Sequence, residues 1–168
     1  MHVPIIFSSY ITSISKQGIS WRNKAGDNKF IKNFDVGKIV KQVQDIPGCS
    51  YVLFGLSQGA AGENYIAPHS VLSKVNPGSC PERDLCMELA DAFQEAGYKV
   101  IVYMATEGPA KLHHTPDPGT GKEEAVNRWK AYVLEEYGAD DVDTLKKAYA
   151  EIIVKEYAER YGSKIDGK

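Results

Sequence analysis

Apolar residues along the chain fall into short blocks whose period switches between that of a strand and that of a helix. Val3-Pro4-Ile5-Ile6-Phe7 is too brief for a helix and is bounded by serines, so it predicts a first buried strand with Pro4 tolerated near its start. Val36, Ile39, Val40 and Val43 follow helical spacing behind Asp35, whose carboxylate can cap the helix before Pro47-Gly48 stops it. Tyr51-Val52-Leu53-Phe54-Gly55 is continuously apolar, the pattern of a parallel strand covered on both faces. From Leu56 to Asn76 no helical period survives Gly59, Gly62, Pro68 and Pro77, which predicts a long loop of the kind that often carries function.

Ser79 and Glu82 have capping-box spacing, with Pro81 in the first turn, ahead of a stripe of Leu85, Leu89, Ala92, Phe93 and Ala96 that ends at Gly97. Lys99 to Ala105 predicts a third buried strand, and a second long loop runs from Glu107-Gly108-Pro109 through His113-His114 to Gly121. A helix around Glu123 to Tyr137 follows. A last helix, capped by Asp143, carries Leu145, Ala148, Tyr149, Ile152 and Ile153 as far as Gly162, and Lys164-Ile165-Asp166 starts a fourth strand. The order β-α-β-α-β-α-α-β implies right-handed crossovers onto a parallel sheet. An open doubly wound sheet competes with consecutive βα units of an eightfold barrel. A complete barrel takes about 250 residues, so this single α/β domain over 1–168, with three full units and the start of a fourth strand, is too short to close one.

An apolar share of 43% suits a globular core, and a net charge of -2 supplies no broad positive field for a nucleic-acid backbone. No apolar run reaches the roughly 20 residues of a membrane span, and no secretory signal opens the chain. As written, the expected location is the cytoplasm, or the extracellular or periplasmic space if a leader has been removed. Cys49, Cys80 and Cys86 lack C-x-x-C spacing and predict neither a disulfide framework nor zinc, with Cys49 and Cys86 packed inside.

Gly55-Leu56-Ser57-Gln58-Gly59 matches the G-x-S-x-G nucleophile elbow and follows a predicted strand. An elbow needs a helix next, and Gly62 and Pro68 oppose one. A serine esterase using Ser57 therefore stands as an alternative beside a loop that merely needs small residues. His113 and His114 are adjacent, so on an extended segment they diverge and read as a solvated pair rather than metal ligands. His69 follows Pro68 in the first long loop, as a substrate contact or an exposed side chain. Glu107, just past the third strand, would sit on the C-terminal rim where parallel α/β enzymes keep their sites. Asp84 in a first helical turn and Arg83 beside it read as structural, and Glu135, Glu136, Glu156 and Glu159 as charged helix faces. No G-x-G-x-x-G, P-loop or H-E-x-x-H is present, and no cofactor or metal is expected.

The strings Tyr51-Val-Leu-Phe-Gly-Leu-Ser-Gln-Gly, Tyr65-Ile-Ala-Pro68 and Arg83-Asp-Leu through Tyr98-Lys-Val-Ile-Val-Tyr103 together resemble the front half of the α-L-fucosidase-like glycoside hydrolases. The likeness is clearest over residues 35 to 110 and resumes at Ala150 to Gly167, where Glu159-Arg-Tyr-Gly-Ser-Lys-Ile-Asp-Gly167 is similar to the segment leading into the fourth barrel strand. The resemblance implies a (β/α)8 barrel that hydrolyses fucosides with retention, through an Asp nucleophile at the end of the fourth strand and a later acid/base carboxylate. Where family members carry paired histidines after the second strand, this chain has Ser57-Gln58-Gly59. On one alignment Asp166-Gly167 precedes the fourth strand and the nucleophile lies beyond Lys168. On a tighter one Asp166 is itself the nucleophile. The resemblance thus implies a carbohydrate-facing rim of Ser57, Gln58, Tyr65 and His69, with Glu107 and Asp166 as catalytic candidates. It also implies a partial (half) TIM-type (β/α)8 barrel, truncated at the fourth strand, that lacks part of the catalytic machinery and either closes its open edges as a homodimer or rearranges its ends. The alternative is a non-catalytic sugar-binding or assembly module.

Overall fold

The computed structural model describes residues 5–7, 29–58, 64–104 and 122–166. Strands β1 (Ile5–Phe7), β2 (Tyr51–Gly55) and β5 (Lys99–Tyr103) form a parallel sheet in the order β1-β2-β5. The register puts Phe7 level with Phe54 and Phe54 level with Val102. Between β2 and β5 lie the two-residue strands β3 (Ser57–Gln58) and β4 (Asn64–Tyr65), paired antiparallel, and the short helix α3 (Leu72–Val75). The stretch from Leu56 to Asn76, expected as a loop, is therefore partly ordered: backbone pairing needs no side-chain period, so the hairpin left no hydrophobic signature.

Helices α1 (Lys29–Lys32) and α2 (Val36–Gln44) precede β2, and α4 (Leu85–Glu95) precedes β5. Asp35 caps α2 as expected, accepting from Lys38 N at 2.9 Å. The cap of α4 is Asp84, which accepts from Met87 N, and not Ser79: Ser79 is buried and its carbonyl is committed to Tyr65 N at 2.9 Å. At the other end of α4, Gly97 takes φ +86° and Tyr98 N reaches back to Phe93 O at 2.9 Å, while the Phe93 and Tyr98 rings meet edge to face. That is a Schellman closure with its apolar contact.

After β5 come α5 (Lys122–Tyr137), α6 (Val142–Ala148), a π-helical segment (Tyr149–Val154) and α7 (Lys155–Tyr161), which stops at Gly162. Asp141 rather than Asp143 caps α6: set in extended backbone two residues earlier, it accepts from the N–H groups of Asp143 and Thr144.

Burial alternates along β2 and β5. Val52, Phe54, Val100 and Val102 are buried, while Tyr51, Leu53 and Ile101 are half-buried and Tyr103 is 50% exposed. The continuous apolar run predicted cover on both faces, but among the described residues only the Val52–Val100 face is closed. Against it pack Ile39, Val43, Leu89 and Phe93, in one core with Trp129, Ile153, Tyr157 and Tyr161. Cys86 is buried, Cys49 and Cys80 are half-buried, and all three are free.

Candidate functional site

The C-terminal end of the sheet is where parallel α/β folds gather their chemistry. Leu56, one residue past β2, donates its N–H to the Tyr103 carbonyl at 2.8 Å and accepts from Ile66 N at 3.0 Å. The end of β5 and the β3–β4 hairpin therefore flank the same backbone unit and emerge side by side. Leu85 N donates to the Ile66 carbonyl, so the start of α4 is tied to the hairpin exit.

Ser57, Tyr65 and His69 are 4%, 3% and 2% exposed. Their side chains build the floor beneath this rim. Tyr157 gathers two of them: its ring stacks on Tyr65 at 5.9 Å and takes the edge of His69 at 5.0 Å. Burial drives the Tyr65 phenol well above its ordinary value, helped by Tyr149 and Cys80, so it stays protonated. An elbow serine needs a helix directly after it. Ser57 instead lies in a strand paired with another strand, and the next described helix begins only at Leu72. Gln58 stands opposite Asn64 in the hairpin. Glu107, His113 and His114 lie outside the described residues.

Asp166 is not part of this constellation. Its N–H donates to the Val100 carbonyl at 2.7 Å and its Oδ2 accepts from Val100 N at 2.9 Å, near the N-terminal start of β5. Tyr103, which borders the rim, is at the other end of the same strand. That start is remote from the end where Ser57 and Tyr65 lie, and Lys164 to Asp166 form a turn and a bend there, not the strand start that the sequence predicts.

A polar network that sequence reasoning passed over supports the floor. Glu156 accepts from Ser70 N at 2.9 Å and from the Ser70 hydroxyl, and pairs with Arg160 at 2.7 Å. Arg160 also donates to the Pro68 carbonyl, and the Tyr157 hydroxyl to the Ala67 carbonyl at 3.3 Å. Glu156, Tyr157, Arg160 and Tyr161 follow i, i+1, i+4, i+5 spacing. Two aromatics interleaved with two charges on one helix flank are the available signal, whereas charge alone makes Glu156 a solvated face. Burial opposes the Glu156 charge, but Ser70, His69 and Arg160 together hold its carboxyl below the ordinary range. Among the described residues no group of three or more His, Cys, Asp or Glu gathers as a metal site, and no helix is long and apolar enough to cross a membrane.

Comparison with known families decides the assignment. The family model described as endo-alpha(1,4)-fucoidanase Mef1 matches residues 23–168. The chain belongs to this fucoidanase family. Its fold is shared with two solved structures of glycoside hydrolase family 107, each 18% identical and each matched over 98% of this chain. They are the endo-fucoidan hydrolases MfFcnA9, at a TM-score of 0.73, and MfFcnA4, at 0.69. This fucoidanase-family chain spans 30% and 25% of their respective lengths. No curated protein matches it. The glycoside hydrolase reading of the sequence is thus shown, and the matching family is described as an endo-fucoidanase one rather than an α-L-fucosidase one.

Proposed function

We propose that this chain forms the first βα units of a half (β/α)8 barrel whose C-terminal rim binds α(1,4)-linked fucoidan, without itself completing the pair of carboxylates that cleaves it. The observation carrying the proposal is the Leu56 to Tyr103 hydrogen bond within a chain matched over 23–168 by an endo-fucoidanase family. It sets two strand ends beside the hairpin as a common mouth, in a family whose description names that substrate. A fucoside is also what the α-L-fucosidase-like strings would recognise, so both likenesses favour the same sugar.

The outer edge of β5, along which no described strand runs, supports the partial-barrel reading. Lys99 N donates to Ser50 O and Tyr103 O accepts from Leu56 N, so these residues turn their backbone groups toward β2. Val100 turns both of its groups the other way, to Asp166, and Val102 faces that same outer edge, where no described strand pairs with it. Alongside lies an apolar cavity of about 350 Å³ lined by Leu53, Ile101, Tyr103, Met104, Tyr157 and Ile165 among others. A further parallel strand entering beside Asp166 would fill it.

Retaining hydrolysis takes two carboxyl groups about 5–5.5 Å apart. The described ends of β2 and β5, Gly55-Leu56 and Tyr103-Met104, carry no Asp or Glu. Titrating the 168-residue chain with fucoidan, by affinity electrophoresis and by reducing-end release, tests the reading. Retarded migration without new reducing ends is expected. Release of oligosaccharides would overturn the division of labour, and unretarded migration would overturn the carbohydrate site.

A further inference from the structure

Helix α3 begins without a conventional cap. Val71 stands at its N-cap position and offers no side-chain acceptor. The first N–H groups are met instead by His69, whose Nδ1 accepts from Val71 N at 3.2 Å and from Leu72 N at 3.1 Å. A ring nitrogen that accepts carries no proton, so His69 is the neutral imidazole with its hydrogen on Nε2. Nε2 is buried and faces Glu156 Oε2 at 3.4 Å, with the Ile152 and Ile153 carbonyls of the π-helical segment beside it. Ala67, Pro68 and Ser70 are thereby held by α7, Ala67 by Tyr157, Pro68 by Arg160 and Ser70 by Glu156, with the His69 ring enclosed between them.

We propose that His69 and Glu156 form a pH-sensitive latch: a solvent proton added at Nδ1 of His69 withdraws the cap from α3 and frees the Ala67–Ser70 segment behind the hairpin, while the neutral ring keeps it closed. In the imidazolium both nitrogens donate, so Nδ1–H would confront two backbone N–H groups and the ring must leave. The charged and titratable groups around the ring are Glu156 and Arg160 on α7, and the Tyr157 phenol, which is in turn backed by Tyr65 of the hairpin and by Cys80. Burial, the largest influence, and Arg160 disfavour the cation, and Glu156 with the two carbonyls offsets only part of this, so the ring titrates below its ordinary 6.5.

Linkage sets the sign. Once opened, the imidazole titrates at its ordinary value, so between 6.5 and the lowered value the open form binds the proton and the closed form does not. Opening is thus favoured by about tenfold per pH unit in that window and levels off below it. The latch rests on the contacts and burial of the His69 ring and is independent of the ligand the rim takes.

The test is 15N NMR of the histidine rings of the 168-residue chain, with amide exchange at Ser70, Val71 and Leu72, corrected for intrinsic rates, from pH 8 downward. One of the four histidines is expected as the Nε2–H tautomer titrating below 6.5, with exchange rising tenfold per unit in step with it. His69→Asn, an ordinary cap without a titration, should keep protection and lose the pH step. Glu156→Gln weakens the hold on Ser70 and so favours the open form, which should move the midpoint up toward 6.5. An Nδ1–H tautomer, a midpoint at 6.5, an unmoved midpoint in Glu156→Gln or flat exchange would each overturn the latch. Should His69→Asn fail to fold, the wild-type tautomer and the Glu156→Gln midpoint decide.

Discussion

Tyr161 donates its hydroxyl to both carboxylate oxygens of Asp84, at 2.8 and 2.9 Å, across 77 residues of sequence. The same carboxylate caps α4 through Met87 N, and Arg160 approaches it to 4.0 Å. One acid thus joins the start of the α4 unit to the end of the chain's last helix, and the rim segment between them rests on both.

Removing the donor tests that junction. A hydrogen bond to a charged group contributes about 1.5–3 kcal/mol, so Tyr161→Phe should destabilise by that amount in urea unfolding. Asp84→Ala should lose the cap as well, about 1 kcal/mol more. The double variant should then fall short of the sum of the singles, because the two share one interaction. Additive losses would mean that the pair is not coupled.

Gly97 supplies the φ of +86° that lets α4 turn directly into β5. A Cβ meets nothing within 4 Å there, so Gly97→Ala isolates the backbone cost. Left-handed backbone costs an L-residue about 1–2 kcal/mol, and the urea midpoint should drop accordingly with the slope unchanged. An unaltered midpoint would show that the turn tolerates a side chain.

Arg83 anchors a loop: its guanidinium donates to the carbonyls of Ile31, Lys32 and Phe34 while forking onto Glu88. A lysine cannot reproduce that planar fork. Arg83→Lys should therefore cost about 1–2 kcal/mol and speed amide exchange at the α1–α2 junction. Because the Arg83 guanidinium is what holds the Glu88 carboxyl below its ordinary value, that carboxyl should also titrate higher in the variant.

These contrasts mark where sequence reading worked. Burying a stripe on one helix face needs a period, so α2, α4, β2 and β5 were legible from Val36–Val43, Leu85–Phe93 and the two apolar runs. Gly97 and Gly162 were legible as stops because chain ends have their own chemistry. The hairpin was not, since two rungs of backbone pairing at Ser57 and Gln58 impose no side-chain pattern. Glu156 was missed because its partners lie 86 and 87 positions away at Ser70 and His69, and only the packed fold turns a charge of α7 inward.

The outer edge of β5 gives the last prediction. Among the described residues no strand pairs with the Val102 edge, which lies beside an apolar cavity, and Tyr103 on the adjoining face is half exposed. Such an edge pairs with whatever strand it meets, and for the isolated 168-residue chain the available strand is a second copy. Sedimentation equilibrium should therefore give twice the 18.5 kDa chain mass, weakening on dilution. Tyr103→Lys places a charge on that adjoining face without touching the closed core, so it should yield a folded monomer with wild-type circular dichroism. A wild-type monomer at high concentration, or a dimer indifferent to the lysine, would mean that this edge is covered from within the chain.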